Sequence, residues 1–523
     1  MALSAADRGL HRVRCGLADG DGWCVADPID YIIVVTPGRS RLPLPTDLGK
    51  HPVVTSSCVS TTLRQIQATA RAFAWSHMCT QHLLDRAYGL RSHHVLRRAT
   101  TSRLIHALQP YAVNFSQHLP TPDNPYRRIP AHPSGVNTLA IDRFEGRYLL
   151  SGGVDSSITI WDLESPARAS ETGATHLPLG AVHTARGERQ LGITQIGFYP
   201  FDSLAFLTSS YDHTVKVYSS ETLKPSAVFD LDSVVYHIAL SPIASHLLVA
   251  CATQHPNVRL VDLRSGANAH HLAGHSGAIL ASAWSPVHEH ILVSGAADGS
   301  VRFWDIRQSM GELGRLDLED STVRDGSRIP VAHRGPVNGI VWAEDGRHLV
   351  TCGHDEKIRV WDTQTKANTL ADFGPMVKNS GLAPRLAVLP PVQYLQPGAD
   401  VMFYPNPSEV LAYELLEGKL LRRLRRSHQI SRHALDTVEI KQHGKFKDKI
   451  TSLAWRTHDV ELYSAHSDGS IVAWKPRTDE DAELDEEEQQ GHEVVEVGKK
   501  RKKGGLDDIY KGLTKKQIDF GGP

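Results

Sequence analysis

Apolar and polar residues alternate along short stretches such as SVRFW (300–304) and KIRVW (357–361), the period of two expected of half-buried strands. Each stretch ends on an aromatic that lies six residues beyond an aspartate. The pairs are Asp155/Trp161, Asp212/Tyr218, Asp298/Trp304, Asp355/Trp361 and Asp468/Trp474. Four residues ahead of each aspartate stands a hydroxyl: Ser151, Thr208, Ser294, Thr351 and Ser464. In four of the five units a histidine precedes the tryptophan by 28 to 31 residues: His132, His275, His333 and His443. A strand hydroxyl, a loop histidine, a turn aspartate and an indole N–H can satisfy one another in a buried site. Each buried polar group left without a partner costs about 1–3 kcal/mol.

A helical period appears ahead of these strands, and again in the tail at Leu506, Ile509, Tyr510 and Leu513. QHLLDRAYGL places Leu83, Leu84, Ala87 and Tyr88 on one face, and Gly89 breaks it. Ser92 is a candidate N-cap, after which Val95, Leu96, Ala99, Leu104, Ile105 and Leu108 resume the pattern until Pro110 stops it. Residues 78–110 are therefore expected to form a helix-loop-helix outside the strand-rich body, offered to a partner groove or packed on that body. Residues 1–77 show no sustained period and many Pro and Gly breaks; the expectation is a poorly ordered extension, with Met78 as an alternative start.

The repeated unit is similar to the WD-repeat family, in which about 40–45 residues form one four-stranded propeller blade. The resemblance implies an all-β fold. Gaps between successive aspartates count the blades: 57, 86, 57 and 113 residues. The 86-residue gap holds a degenerate unit with His255 at the aspartate place and Val261 at the tryptophan place, and the last gap holds another around Tyr413. Seven blades are expected over 111–476. The acidic stretch after Trp474 cannot supply a last outer strand, so one is expected from before His132, in NFSQHL or YRRIPAH, to remove the sheet edge.

Composition narrows the function classes. Charged residues make up 22% of the 523 and the net charge is -1, unlike a protein built to grip nucleic acid, so no direct sequence-specific nucleic-acid contact is expected. No apolar run approaches a membrane span of about 18 residues, and no secretory signal opens the chain. The six cysteines form no CxxC pair, which points to free thiols in a reducing compartment. Histidine neighbours such as His93–His94 and His270–His271 lack a cysteine or carboxylate at ligand spacing, and neither metal nor cofactor is expected. There is no GxSxG, P-loop or HExxH pattern. The recurring Asp and His residues are spent once per blade, so a non-catalytic binding scaffold is expected.

KLLRRLRR (419–426) lacks interleaved aromatics and reads as an outer strand running into a solvated insertion. The expected tail, 477–523, carries an acidic run at 479–488 and then Lys499, Lys500, Arg501, Lys502 and Lys503, a cluster of the nuclear-localisation kind.

The ending VRFWDIR, with Trp304, Asp305 and Arg307, resembles the box by which WD-repeat substrate receptors attach to DNA-damage-binding protein 1, the adaptor of cullin-4 RING ubiquitin ligases. The segments 135–164, 198–218 and 332–362 are similar to the Cockayne syndrome protein A family, as is the helix-loop-helix. The resemblance covers about 78–476. It implies a receptor in transcription-coupled nucleotide excision repair, with RNA polymerase II and a Cockayne syndrome B-type remodeller as partners. It also implies adaptor contacts through Leu83, Leu84, Leu104, Ile105 and Leu108 and through Arg307. The other expectation is a general WD-repeat scaffold in RNA processing or chromatin assembly, without ligase attachment.

Overall fold

The fold was examined in a computed structural model. It describes residues 93–477, apart from 112, 119–129, 167, 171–172, 184–190, 244, 267, 309–310, 319–329, 392–394, 396–399, 427–448 and 458. Seven antiparallel sheets follow one another as the blades of a propeller, numbered here in chain order. Their inner strands are Val136–Ile141, Ile193–Tyr199, Val235–Leu240, Ile279–Trp284, Val337–Trp342 and Ile450–Arg456, with blade 6 reduced at this position to a bridge between Val388 and Phe403. The gap arithmetic therefore holds, and the seven-bladed propeller is the fold.

Each inner strand begins with the same irregularity. In six blades the second residue is skipped in the pairing with its neighbour, as a β-bulge: Asn137, Thr194, Tyr236, Leu280, Asn338 and Thr451. A bulge re-aims its side chain, and here four of the six polar or apolar side chains reach the next blade. Asn137 donates to the Ile193 carbonyl at 2.8 Å, Thr194 to Val235 at 2.7 Å, Asn338 to Ala383 at 2.9 Å and Thr451 to Val136 at 2.6 Å. Arg385 makes the corresponding link from blade 6 to the Ile450 carbonyl. Tyr236 and Leu280 make no such bond, and at these two seams the indoles of Trp284 and Trp342 donate instead to the carbonyls of Ala239 and Ala283 in the preceding blade, at 3.1 and 3.3 Å.

The ring closes with an N-terminal strand, but neither expected segment supplies it. Leu108–Tyr111 pairs antiparallel with Ile471–Pro476 as the outer strand of blade 7. The helix consequently stops at His106, before Pro110. Pro110 sits opposite Trp474 on an edge strand, where a missing N–H is tolerated. Leu108 is fully buried and Ile105 is 3% exposed, both within the apolar cluster of blades 6 and 7 that includes Leu424, Leu462 and Trp474. The pattern that read as a helix face running through Leu108 is thus a helix end followed by a strand, both facing the chain's own core.

Beyond the closing strand, Val113–Phe115 joins a small extra sheet, parallel to Gly173–His176. Phe115 stacks on His176 at 5.2 Å and meets Trp161 edge-on at 5.4 Å. Segment NFSQHL therefore begins in this second latch, against blade 1.

Candidate functional site

The propeller has two ends, and the sequence equips them differently. One end carries the aspartate turns. In blade 4 the Trp304 indole donates to Ser294 Oγ at 2.7 Å, and Ser294 lies 2.7 Å from His275 Nε2. His275 Nδ1 lies 2.7 Å from Ser300 Oγ, which donates to Asp298 at 2.6 Å. Because Ser300 gives its proton to the carboxylate, it accepts from Nδ1–H, and Nε2 accepts from Ser294. Every proton then runs one way, from indole to carboxylate, around a neutral imidazole. Blade 1 repeats the chain with Trp161, Ser151, His132, Ser157 and Asp155.

The serine between histidine and aspartate was missed in the sequence reading. Its signal was a hydroxyl two residues after the aspartate, present at Ser157, Thr214, Ser300 and Ser470. Blade 5 has Lys357 there, and His333 reaches Asp355 directly at 2.9 Å while Thr351 bridges His333 to Trp361. Burial lowers the pKa of all three histidines, to about 4 for His132. Burial pushes Asp298 and Asp355 up, but hydrogen bonds outweigh it, from His275 and Ser300 on one and from His333 and Arg359 on the other. Both carboxyls fall well below the usual range.

Two of the five expected networks differ. In blade 2 Asp212 is held by Thr214 at 2.6 Å and Lys216 at 3.1 Å, and Tyr218 stacks on Phe206 in place of an indole bond to Thr208. In blade 7 Trp474 donates to Ser464 at 2.9 Å, but Arg426 grips Asp468 at 2.8 Å; His443 lies outside the described residues. The arginines of KLLRRLRR are thereby accounted for: Arg423 and Arg425 both clasp Glu409, and Arg422 caps the helix end at the His106 carbonyl. Degenerate blade 3 replaces the whole network at once, with Leu231, Cys251 and Val261 all buried. Replacing the buried histidine, hydroxyl and indole together, with exposed His255 at the aspartate place, leaves none of those three groups orphaned.

The other end carries the aspartates that follow the tryptophans. Arg147 pairs with Asp162 at 2.7 Å and Arg347 with Asp362 at 3.4 Å, each cation coming from the neighbouring strand. In blade 4 that neighbouring position is His290, and Arg307 supplies the cation instead. Its Nη2 lies 2.8 Å from Asp305 and its Nε 3.0 Å, a two-pronged clasp with the arginine side chain 65% exposed. Arg307 is therefore committed to Asp305 yet displayed to solvent. Trp304 is fully buried and presents nothing to a partner.

Around Arg307 the turns between first and second strands expose apolar tips in four consecutive blades: Phe144, Phe201, Ile243 and Val287, each about half exposed. Phe144, Ile243 and Val287 stand three residues after the inner strand's last paired position, where blade 5 has Asp345, and Phe201 stands two after it. That near-constant offset was the available signal. Val287 lies against the neighbouring turn of blade 5 at Gly346. Leu83, Leu84 and the cluster Lys499–Lys503 lie outside the described residues. Leu104 is partly buried against the same core as Ile105 and Leu108. Among the described residues no group of three or more His, Cys, Asp or Glu is placed to hold a metal ion, and no helix is long and apolar enough to cross a membrane.

Comparison with known proteins agrees with this geometry. The family description "WD domain, G-beta repeat" matches residues 123–162, 266–305 and 326–362. WD repeat-containing protein ATCSA-1 of Arabidopsis thaliana is 27% identical over 420 residues, covering 66% of this chain and 87% of that protein. Ribosome biogenesis protein ytm1 of Neurospora crassa is 27% identical over 272 residues, covering 45% of this chain and 55% of its own length. Radiation-sensitive protein 28 of Saccharomyces cerevisiae is 28% identical over 190 residues, with 32% and 38% covered. Repeat matches, blade count and buried Trp–Ser–His–Asp chains agree that this is a WD-repeat β-propeller protein.

Proposed function

We propose that the protein is a substrate receptor of a cullin-4 RING ubiquitin ligase, docking through DNA-damage-binding protein 1 and acting in transcription-coupled nucleotide excision repair in the nucleus. The observation that carries this reading is the reach of the similarity to ATCSA-1, through 87% of that protein, where the ribosome biogenesis relative is matched over 55%. The arginine-bearing end supports it physically. Apolar tips in four consecutive blades, at the same end as exposed, pre-oriented arginines, combine apolar anchors with rim charges, the usual composition of a binding patch.

Adaptor contact is assigned to Phe144, Phe201, Ile243, Val287 and Arg307, together with Leu83 and Leu84. Ile105 and Leu108 are withdrawn from the contact set because their side chains are spent in the chain's own core. RNA polymerase II and a Cockayne syndrome B-type remodeller belong to the same proposal. The test is binding of purified adaptor to the full chain and to Phe144→Asp/Phe201→Asp. The reading expects binding by the first and its loss in the second.

The burial of Ile105 and Leu108 favours a second reading, a general WD-repeat scaffold in RNA processing or chromatin assembly. Full-length chain that fails to bind the adaptor would select it.

A further inference from the structure

Among the described residues, three arginines are almost wholly buried, and two have the carboxylate that burial demands. Arg302 pairs with Glu312 at 2.7 Å and Arg456 with Glu461 at 3.1 Å. Arg385 is 8% exposed and has none. Its Nη1 donates to the backbone carbonyls of Ile450 and Pro405, which carry no net charge. Its Nε and Nη2 are not among the sealed, unpartnered polar atoms, so both keep contact with open space. A guanidinium stays charged in proteins, and a buried charge without a counter-ion is costly. The arrangement is therefore incomplete by one anion.

The position explains how an anion could arrive. Arg385 occupies the stitching site of the inner wall, with its backbone N–H bonded to Asn338 at the aspartate-bearing end. Four other blades use the shorter Asn or Thr there, which suffice for the stitch, so the extra length and charge of Arg385 are not required by closure. Lys449, exposed and in no ion pair with another described residue, precedes the carbonyl that Arg385 holds. The adjacent Asp468 is already neutralised by Arg426. From Ser467 beside this cationic seam the surface continues over Gly135 to the exposed Val154 side chain, and Gly192, next to exposed Leu191, lies against the Val154 backbone.

From this we infer a peptide-binding site at the seam of blades 6 and 7, in which Arg385 receives an aspartate or glutamate side chain of a protein partner while neighbouring apolar residues of that peptide lie on Val154 and Leu191. Two parallel N–H groups, Nε and Nη2, match the two oxygens of a carboxylate. The site is at the opposite end from the proposed adaptor surface and stands without it.

The test is panning the full chain against a displayed library of random 12-residue peptides, followed by affinity measurement on the enriched sequences. The site predicts enrichment of an acidic residue with apolar neighbours. Replacing that residue by its amide in the peptide should weaken binding at least tenfold, as should Arg385→Gln, with Arg385→Lys between. The peptide-side replacement keeps the test valid if Arg385→Gln folds poorly. Absence of acidic enrichment, or equal affinity of acid and amide peptides, would overturn the proposal. So would a chain lacking 427–448 that binds the acid peptide tenfold more tightly, because the occupant would then be the protein's own insertion.

Discussion

Ser294→Ala in blade 4 removes one oxygen and strands two groups. The Trp304 indole N–H and His275 Nε2 both lie 2.7 Å from Ser294 Oγ, and both residues are buried. At about 1–3 kcal/mol for each buried group left unsatisfied, the substitution should cost roughly 2–6 kcal/mol. Blade 3 provides the converse. Cys251→Ser places a hydroxyl where Leu231 and Val261 offer neither donor nor acceptor, and should cost about 1–3 kcal/mol although it restores the family's residue type. Denaturant unfolding of the full chain, followed by tryptophan fluorescence and circular dichroism together, reads both effects. If Ser294→Ala leaves the midpoint unchanged, or Cys251→Ser raises it, the bonds do not support the fold as argued.

Three further outcomes follow from the same geometry. Stability should fall as pH drops from about 6.5 toward 4, because the unfolded chain protonates His132 and His237 while burial holds both near 4 in the fold; each can contribute on the order of 3 kcal/mol. A second loss should begin below about 3.8, where Asp298 and Asp355 take up protons in the unfolded state first, and a flat midpoint from pH 7 to 4.5 would contradict the histidine part. Gly299→Ala should destabilise by at least about 1–2 kcal/mol, since Gly299 has φ of 80° and a Cβ there would stand 2.4 Å from the His333 carbonyl; an unaltered thermal midpoint would refute this. Arg307→Ala should lower the thermal midpoint, because buried Asp305 loses both guanidinium bonds and keeps the backbone N–H of residue 307, while weakening adaptor affinity less than loss of the apolar tips.

Much of the fold was legible because the blade writes its buried polar chain into fixed positions. Asp298, Ser294, Trp304 and His275 must recur together, and blade 3 stays recognisable even where all the partners change. Closure was legible as a need, because the chain after Trp474 is acidic. The strand itself was not, since LQPY continues a helical apolar spacing through Ile105 and Leu108 and carries a proline. Only pairing with Ile471–Pro476, a contact over 360 residues away in sequence, distinguishes a strand there. The arginine-bearing end was half legible. Arg307 stood out by its motif, but its clasp on Asp305 depends on His290 occupying the place of Arg147 and Arg347. The apolar tips read as ordinary loop residues until blade order set them at one end of the propeller.

The receptor reading rests on one physical event, attachment of the adaptor to the arginine-bearing end. Its most direct test is the affinity of purified DNA-damage-binding protein 1 for the full chain and for the Phe144→Asp/Phe201→Asp variant, after equal thermal midpoints are established. These side chains are about half exposed, so the fold should tolerate the change. The account predicts a stable complex with the native chain and at least a hundredfold weaker one with the variant, by loss of buried apolar anchors at about 1.4 kcal/mol per tenfold. No complex with the native chain, or equal affinity for both proteins, would contradict it.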